Sequence, residues 1–376
     1  MSLMASFPLQ STCPVTYLDR IDQIKAKLDA MGSPARLDLP FTEGRPPTQA
    51  FSEFLTNKEQ GDWAEKTFIE NFNQQQTQWW AVKYGRSEDL VAGEPGFDEY
   101  YRRYQEELRE IGKRPDVLVF QRPAFLAEFG QIADISTLPR ERLDLWVARA
   151  IWAIEVRSSA FLSKKYEGVA ALTRQATEKR VRECATRLLA EYRGELSRSA
   201  EWVKFAGKLV SAGIDLEGAS PRAMGLRSTE RLAQASELTK EITSGLRDLA
   251  KRDFLSVTPK AEDLTLVYRW IRRYGVPHHY CQVFFDRAVM LSFESILDIL
   301  ANPELEGRDY FIETDEKNQG KVTFKINIQL GKDVLKDLKL PEHSSALKEL
   351  PKGRLLFYVR FRSSQAIVLP EAFGDD

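Results

Sequence analysis

Two short stretches hold the residues best suited to chemistry. "GKRPDVLVF", Gly112–Phe120, puts Pro115-Asp116 at the head of an apolar run, and "IWAIEVRSSAF", Ile151–Phe161, puts Glu155-Val156-Arg157 at the end of another. Successive strand residues point to opposite faces, so Glu155 and Arg157 share one face while Ile154 and Val156 share the other. If the two strands pair, Asp116 and Glu155 converge where the strand ends splay. Two carboxylates at such a point suit Mg2+, which takes oxygen ligands from one or two carboxylates and completes its shell with water and substrate phosphate. Such a cation activates water and neutralises charge building on a phosphate. Asp116 and Glu155 are thus the candidate metal ligands. The competing reading is a Pro-Asp turn and a Glu–Arg pair at a strand end, with no catalytic meaning.

A third acid stands out. Gly61, Glu65, Phe68 and Phe72 are spaced i, i+4, i+7, i+11, one stripe of a predicted helix over 57–73. An acid in an apolar stripe needs a partner or a metal, unless it reaches solvent from the stripe's edge. "VRSSAFLSKKY" then offers Ser158, Ser159, Lys164 and Lys165, groups that bind phosphate oxygens or simply form a polar loop. From Arg157 to Arg193 there are nine Lys/Arg against four Asp/Glu, with Arg174, Lys179, Arg180 and Arg182 as a candidate DNA-binding patch. Two shorter basic sets, Arg269-Arg272-Arg273 and Lys352-Arg354-Arg360-Arg362, are interleaved with aromatics. Such stripes can follow a phosphate backbone, although each alone also reads as a solvated face. His278 and His279 near Cys281 do not make a zinc site, because adjacent strand residues diverge. The chain has no G-x-x-x-x-G-K-[ST] phosphate loop and no G-x-S-x-G nucleophile turn.

The elements that must hold these residues read as follows. Leu18, Ile21, Ile24, Leu28 and Met31 predict an amphipathic helix over 16–31, closed by Gly32 and Pro34, that packs on the body or forms part of a dimer contact. Strands are predicted at 77–85, at 114–121 with Pro115 allowed at its start, and at 146–156. A charged helix covers about 98–111. Residues 165–253 are polar and rich in Leu, Ala, Arg and Glu, and read as a helical insertion. A short strand at 254–259 leads into a helix for which Thr258 is the predicted N-cap and Pro259 the first position. One or two strands at 279–293, a short helix and a β-rich tail from 308 follow. Helices and strands alternating around an inserted block predict an α/β (α+β) fold.

The chain has 376 residues, 43% hydrophobic and 29% charged, as a globular protein should. Length alone suggests two or three domains. No apolar run approaches the ~20 residues that span a bilayer. "MSLMASF" lacks the basic end and apolar centre of a signal peptide. Three scattered cysteines with no C-x-x-C argue against a disulfide framework and for a reducing cytoplasm. The net charge of −1 gives no reason by itself to expect a polyanion partner.

With these residues in view, the chain resembles a family. "GDWAE", "RPDVLVF" and "AIEVRSS" look like the helix-acid, first-acid and Glu-x-Lys motifs of PD-(D/E)XK nucleases. "SVTPKAEDLTLVYRWIRRYGVPHHYCQVFFDRAVMLSF" is similar to a segment of type II restriction endonucleases, nearest the AccI type. The resemblance covers about 50–300. It implies a mixed central sheet flanked by helices and a nuclease core from 51–164 with 254–300. Around that core lie an N-terminal helix and irregular arm at 1–50, a DNA-binding insertion at 165–253 and a β-rich region at 301–376. It also implies a homodimer that hydrolyses both strands of a short double-stranded DNA site with Mg2+, leaving 5′-phosphate and 3′-hydroxyl ends. Asp116 and Glu155 would bind the metal, and Glu65 would be a supporting acid that orients water. Arg157 departs from the family's lysine. Arginine cannot act as a general base, though its donor fork can stabilise the reacting phosphate. Either Arg157 takes that electrostatic role, or Lys164, Lys165 or Lys260 supplies the amine; Lys260 opens a helix after a strand within the family-like segment. Two other readings stay open: an inactive DNA-binding protein on a nuclease fold, and an interaction protein built on the helical block.

Overall fold

Residues 14–86, 90–212, 214, 220–225, 228–316 and 320–373 are described by the structure, a computed structural model. They form two compact units. The larger takes the chain up to Ser163 and again from Ser256, and the smaller is Lys164–Leu255.

The larger unit opens with α1 (Pro14–Ala30), α2 (Ser52–Gln75), β1 (Trp79–Lys83), α3 (Phe97–Ile111), β2 (Val117–Gln121), α4 (Arg122–Phe129), α5 (Arg140–Val147) and β3 (Trp152–Ser158). The smaller unit is carried by α6 (Ser163–Glu191), α7 (Ala200–Ser211) and α8 (Glu230–Leu249). The larger then resumes with β4 (Ser256–Val257), α9 (Ala261–Tyr274), β5 (His278–Val283), β6 (Ala288–Ser292), α10 (Phe293–Leu300), β7 (Tyr310–Asp315), β8 (Lys321–Asn327), β9 (Lys332–Lys336), β10 (His343–Glu349), β11 (Leu355–Phe361) and β12 (Ile367–Val368). The fold is mixed α/β.

A seven-stranded sheet, ordered β1-β2-β3-β5-β6-β9-β12, is the frame. All its pairs are antiparallel except β3 with β5. A parallel pair needs a long crossover, and here that crossover contains the whole smaller unit and α9. Side-chain alternation then sorts the central strands. Ile154 and Val156 of β3 join Val117, Val119, Cys281 and Val283 in the core under α2, where Trp63, Phe68 and Phe72 pack. On the other face Ala153, Glu155 and Arg157 lie beside His278, Tyr280 and Gln282 of β5. There Trp270 of α9 lies 6.1 Å from the His278 ring and 6.4 Å from that of Tyr84.

Three local expectations change. The strand predicted at 146–156 starts only at Trp152, because Trp146 and Val147 finish α5 and a turn precedes the strand. Trp146 packs on Phe120, Phe125 and Phe129, so its apolar character serves helix packing and not a strand. The N-cap of α9 is Lys260, not Thr258, since Lys260 is held extended in a bridge to Thr323. The β-rich tail does not stand apart, because β9 and β12 extend the central sheet.

The smaller unit has its own core, in which Val181, Ala185 and Leu188 of α6 meet Trp202 and Leu209 of α7 and Leu238 and Ile242 of α8. A Cβ at Gly245 of α8 would collide with Val181 Cγ2, so glycine there sets how closely the two helices approach.

Candidate active site

The chain enters β2 through a tightly fixed corner. Gly112 has φ 82°, and a Cβ there would lie 2.8 Å from the Trp270 backbone nitrogen and collide with the Leu266 carbonyl oxygen. Glycine thus lets the chain pass against α9, where the Lys113 N–H donates to the Leu266 carbonyl at 3.1 Å. Three residues on, the Asp116 carbonyl accepts from the N–H groups of Tyr84 (2.8 Å) and Gly85 (3.0 Å). Its side-chain Oδ2 accepts from the Val156 N–H at 2.7 Å. That last bond ties the acid of β2 to the residue following Glu155 on β3.

Glu155 is buried, with its side chain 2% exposed. Its Oε1 receives both Lys113 Nζ at 2.6 Å and an Arg157 guanidinium nitrogen at 2.8 Å. Its Oε2 is buried without a hydrogen-bond partner, as is the hydroxyl of Tyr280 on the paired position of β5. Asp263, in the first turn of α9, lies 3.3 Å from Arg157 and 3.7 Å from Lys113. Two carboxylates and two cations therefore alternate in one cluster.

Each charge state has a cause. Burial, with the Glu155 and Glu65 charges added, raises the Asp116 carboxyl well above the usual carboxylate range. Burial and the Arg157 charge pull the Lys113 ammonium down, but Asp263, Glu155 and Asp116 outweigh them and leave its pKa raised. Glu155 chiefly raises that of Arg157. Burial pushes Asp263 up, yet Lys113, Arg157 and Lys260 leave it below its ordinary value. Burial, then the nearby Glu155 charge, raises the Tyr280 hydroxyl well above its ordinary value. Both cations stay charged, and Asp263 stays ionised to hold them.

The cluster opens into a pocket of about 410 Å³, lined by Lys113, Arg157, Ser158, Ser159, Thr258, Lys260, Asp263 and Gln282. Glu65 lies on α2, where Lys83 Nζ approaches its Oε2 at 3.1 Å, and it is near enough for its charge to act on Asp116 and for that of Glu155 to act on it. Burial raises the pKa of Glu65. Lys164, Lys165, Arg174, Lys179, Arg180 and Arg182 belong to the smaller unit. There Arg174 pairs with Glu178 and Asp253, Lys179 with Glu183, and Arg180 with Asp248, whereas Arg182 has no ion-pair partner among the described residues. Of the shorter basic sets, Arg269 donates to two carbonyls, while Arg272 pairs with Asp22 and Arg273 with Asp144 at the surface.

Among the described residues no three Asp, Glu, His or Cys side chains form a ligand cage. Two hard carboxylates, one with an unpartnered buried oxygen, fit a cation that draws its other ligands from water and phosphate.

The AccI restriction endonuclease family has a model that matches residues 15–371 of the chain. The chain belongs to the AccI restriction endonuclease family. No curated protein matches it, and no solved structure does. As an AccI-family restriction endonuclease it acts on DNA. Its site also contains residues that motif reading passed over. Lys113 stands three positions before Asp116, inside the motif's own stretch, but its contact with Glu155 depends on the Gly112 corner. Asp263 carries no motif signal, because an acid in the first turn of a helix is favourable there for the helix alone. Tyr280 and Gln282 gave no signal, because strand pairing alone brings them beside Glu155 and Arg157.

Proposed function

We propose that this protein is a type II restriction endonuclease that hydrolyses both strands of a short double-stranded DNA site with Mg2+, working as a homodimer. The observation that carries the reading is the meeting of Asp116 and Glu155 across β2 and β3, with Glu155 Oε2 unpartnered beside two cations at an open pocket. Asp116 and Glu155 would hold the cation, which when bound supplies charge neutralisation at the phosphate and acidifies water. Arg157 keeps its charge throughout, so it stabilises negative charge and takes no proton. Ser158, Ser159 and Lys260 line the pocket and are proposed to hold the DNA backbone. Glu65 is proposed as the supporting acid that orients water, its side chain steadied by Lys83. Arg174, Lys179, Arg180 and Arg182, with Lys164 and Lys165, are proposed as DNA contacts of the helical unit.

The test is incubation of purified protein with a long mixed-sequence DNA and Mg2+. A discrete band pattern is expected. Asp116→Asn and Glu155→Gln are each expected to lower the cleavage rate by on the order of 10²-fold or more while retaining duplex binding in Ca2+. A parent protein that shifts duplex DNA but never cuts it would instead establish the inactive DNA-binding reading. The homodimer is checked by sedimentation with and without DNA.

A further inference from the structure

We infer that Lys113 is a catalytic residue of this site, its ammonium facing the non-bridging oxygens of the phosphate under attack. This rests on the nuclease reading above and adds a residue to it. In the reaction a water oxygen bonds to phosphorus, giving up a proton to solvent that solvent returns to the leaving oxygen, as the P–O3′ bond breaks. The electron pair of that bond stays on the 3′ oxygen, which takes up a proton, and the water's oxygen remains on the 5′-phosphate. Negative charge on the phosphoryl oxygens must be met by a cation that is close, permanently charged and able to follow them.

Lys113 fits that description better than the other cations. Its Nζ lies 2.6 Å from Glu155 and 3.7 Å from Asp263, and its side chain remains 18% exposed toward the pocket. Its backbone is anchored on α9 through Leu266, so only the flexible side chain has freedom to move. Arg157 meets the same two carboxylates through one terminal nitrogen and its side chain is more exposed, at 39%, but its planar fork follows a changing geometry less readily than an ammonium does. Lys260 lines the pocket but makes no contact with Glu155 among the described residues. When Glu155 turns to a cation, Lys113 keeps Asp263 as a partner and still faces the pocket. A compact ammonium with three rotatable donors is suited to an oxygen whose geometry changes during reaction.

Lys113→Met tests this, because Arg157 still neutralises Glu155 in the variant. Two measurements are made on the full chain: calorimetric binding of Mg2+ to the free protein, and single-turnover cleavage at saturating Mg2+. The variant is expected to bind Mg2+ at least as tightly as the parent, one competing cation having left Glu155, yet to cut at least tenfold more slowly. Cleavage within tenfold of the parent at saturating Mg2+ would overturn the inference and make Lys113 a counter-ion only. If the Met variant does not give the parent's circular dichroism, Lys113→Gln, which removes the charge but keeps a polar end, is judged by the same tenfold threshold. Failure of the nuclease reading looks different: the parent itself does not cut, or Asp116→Asn cuts normally.

Discussion

His278 is buried on the same face of the sheet as Glu155, with neither ring nitrogen hydrogen-bonded. Burial, and then the charges of His279, Lys113 and Arg157, depress its pKa well below the ordinary value of about 6.5. The folded state therefore keeps this ring neutral while the unfolded chain protonates it below about pH 6.5. Stability from this group is full above that pH and declines as pH falls, by about 1.4 kcal/mol per unit until the folded state's own pKa is reached. His278→Leu removes the dependence. Urea unfolding followed by tryptophan fluorescence at pH 7 and pH 5 should show a smaller acid loss in the variant than in the parent, and equal losses would contradict the argument. The same scale shows where the sequence was readable. Asp116, Glu155 and Arg157 stand out because motif and strand alternation are local. The ion pair of Lys113 with Glu155 spans 42 positions and has no local signature.

Between elements, the placement of these residues depends on a few backbone approaches. Gly112 is the most exacting, combining a positive φ with a backbone that leaves no room for a Cβ. Gly112→Ala must strain the corner or push it off α9, and is expected to cost at least about 2 kcal/mol. It should also move Lys113 away from Glu155. Thermal unfolding should show a lowered midpoint, and cleavage should fall more than duplex binding in Ca2+. An alanine variant with the parent's midpoint and rate would show that the corner tolerates a side chain. The existence of β2 and β3, of strand structure within 279–293 and of the apolar stripe of α2 was legible, because each follows from one local run. The start of β3 and the cap of α9 were not. Both are decided by distant partners: the aromatic cluster on Trp146 and the bridge from Lys260 to Thr323. The pairing of β9 and β12 into the central sheet is likewise nonlocal, for their sequences read as strands without saying whose neighbours they are.

For the molecule as a whole, charge is divided between the two units. Residues 164–255 carry 18 Lys and Arg against 13 Asp and Glu, while the rest of the chain carries 36 against 42. The near-neutral total thus conceals a basic helical unit and an acidic larger one. The basic excess of the helical unit is the electrostatic feature suited to attract a polyanion. On the helical unit, surface ion pairs occupy Arg174, Lys179 and Arg180, but exposed pairs contribute little and exchange readily for phosphate. Lys179 and Arg182 share one exposed stretch of α6 with Glu178 and Glu183. Reversing both charges, Lys179→Glu with Arg182→Glu, is expected to leave the helical core intact, since neither side chain belongs to it. Without these two cations on the phosphates, the salt dependence of duplex binding should flatten by about two in log–log slope. Binding at low salt should also weaken by at least about tenfold. Fluorescence anisotropy in Ca2+ across a salt series measures both quantities. A double variant with the parent's affinity and slope would remove this face of α6 from the DNA contact and leave the unit's excess charge to act at other residues.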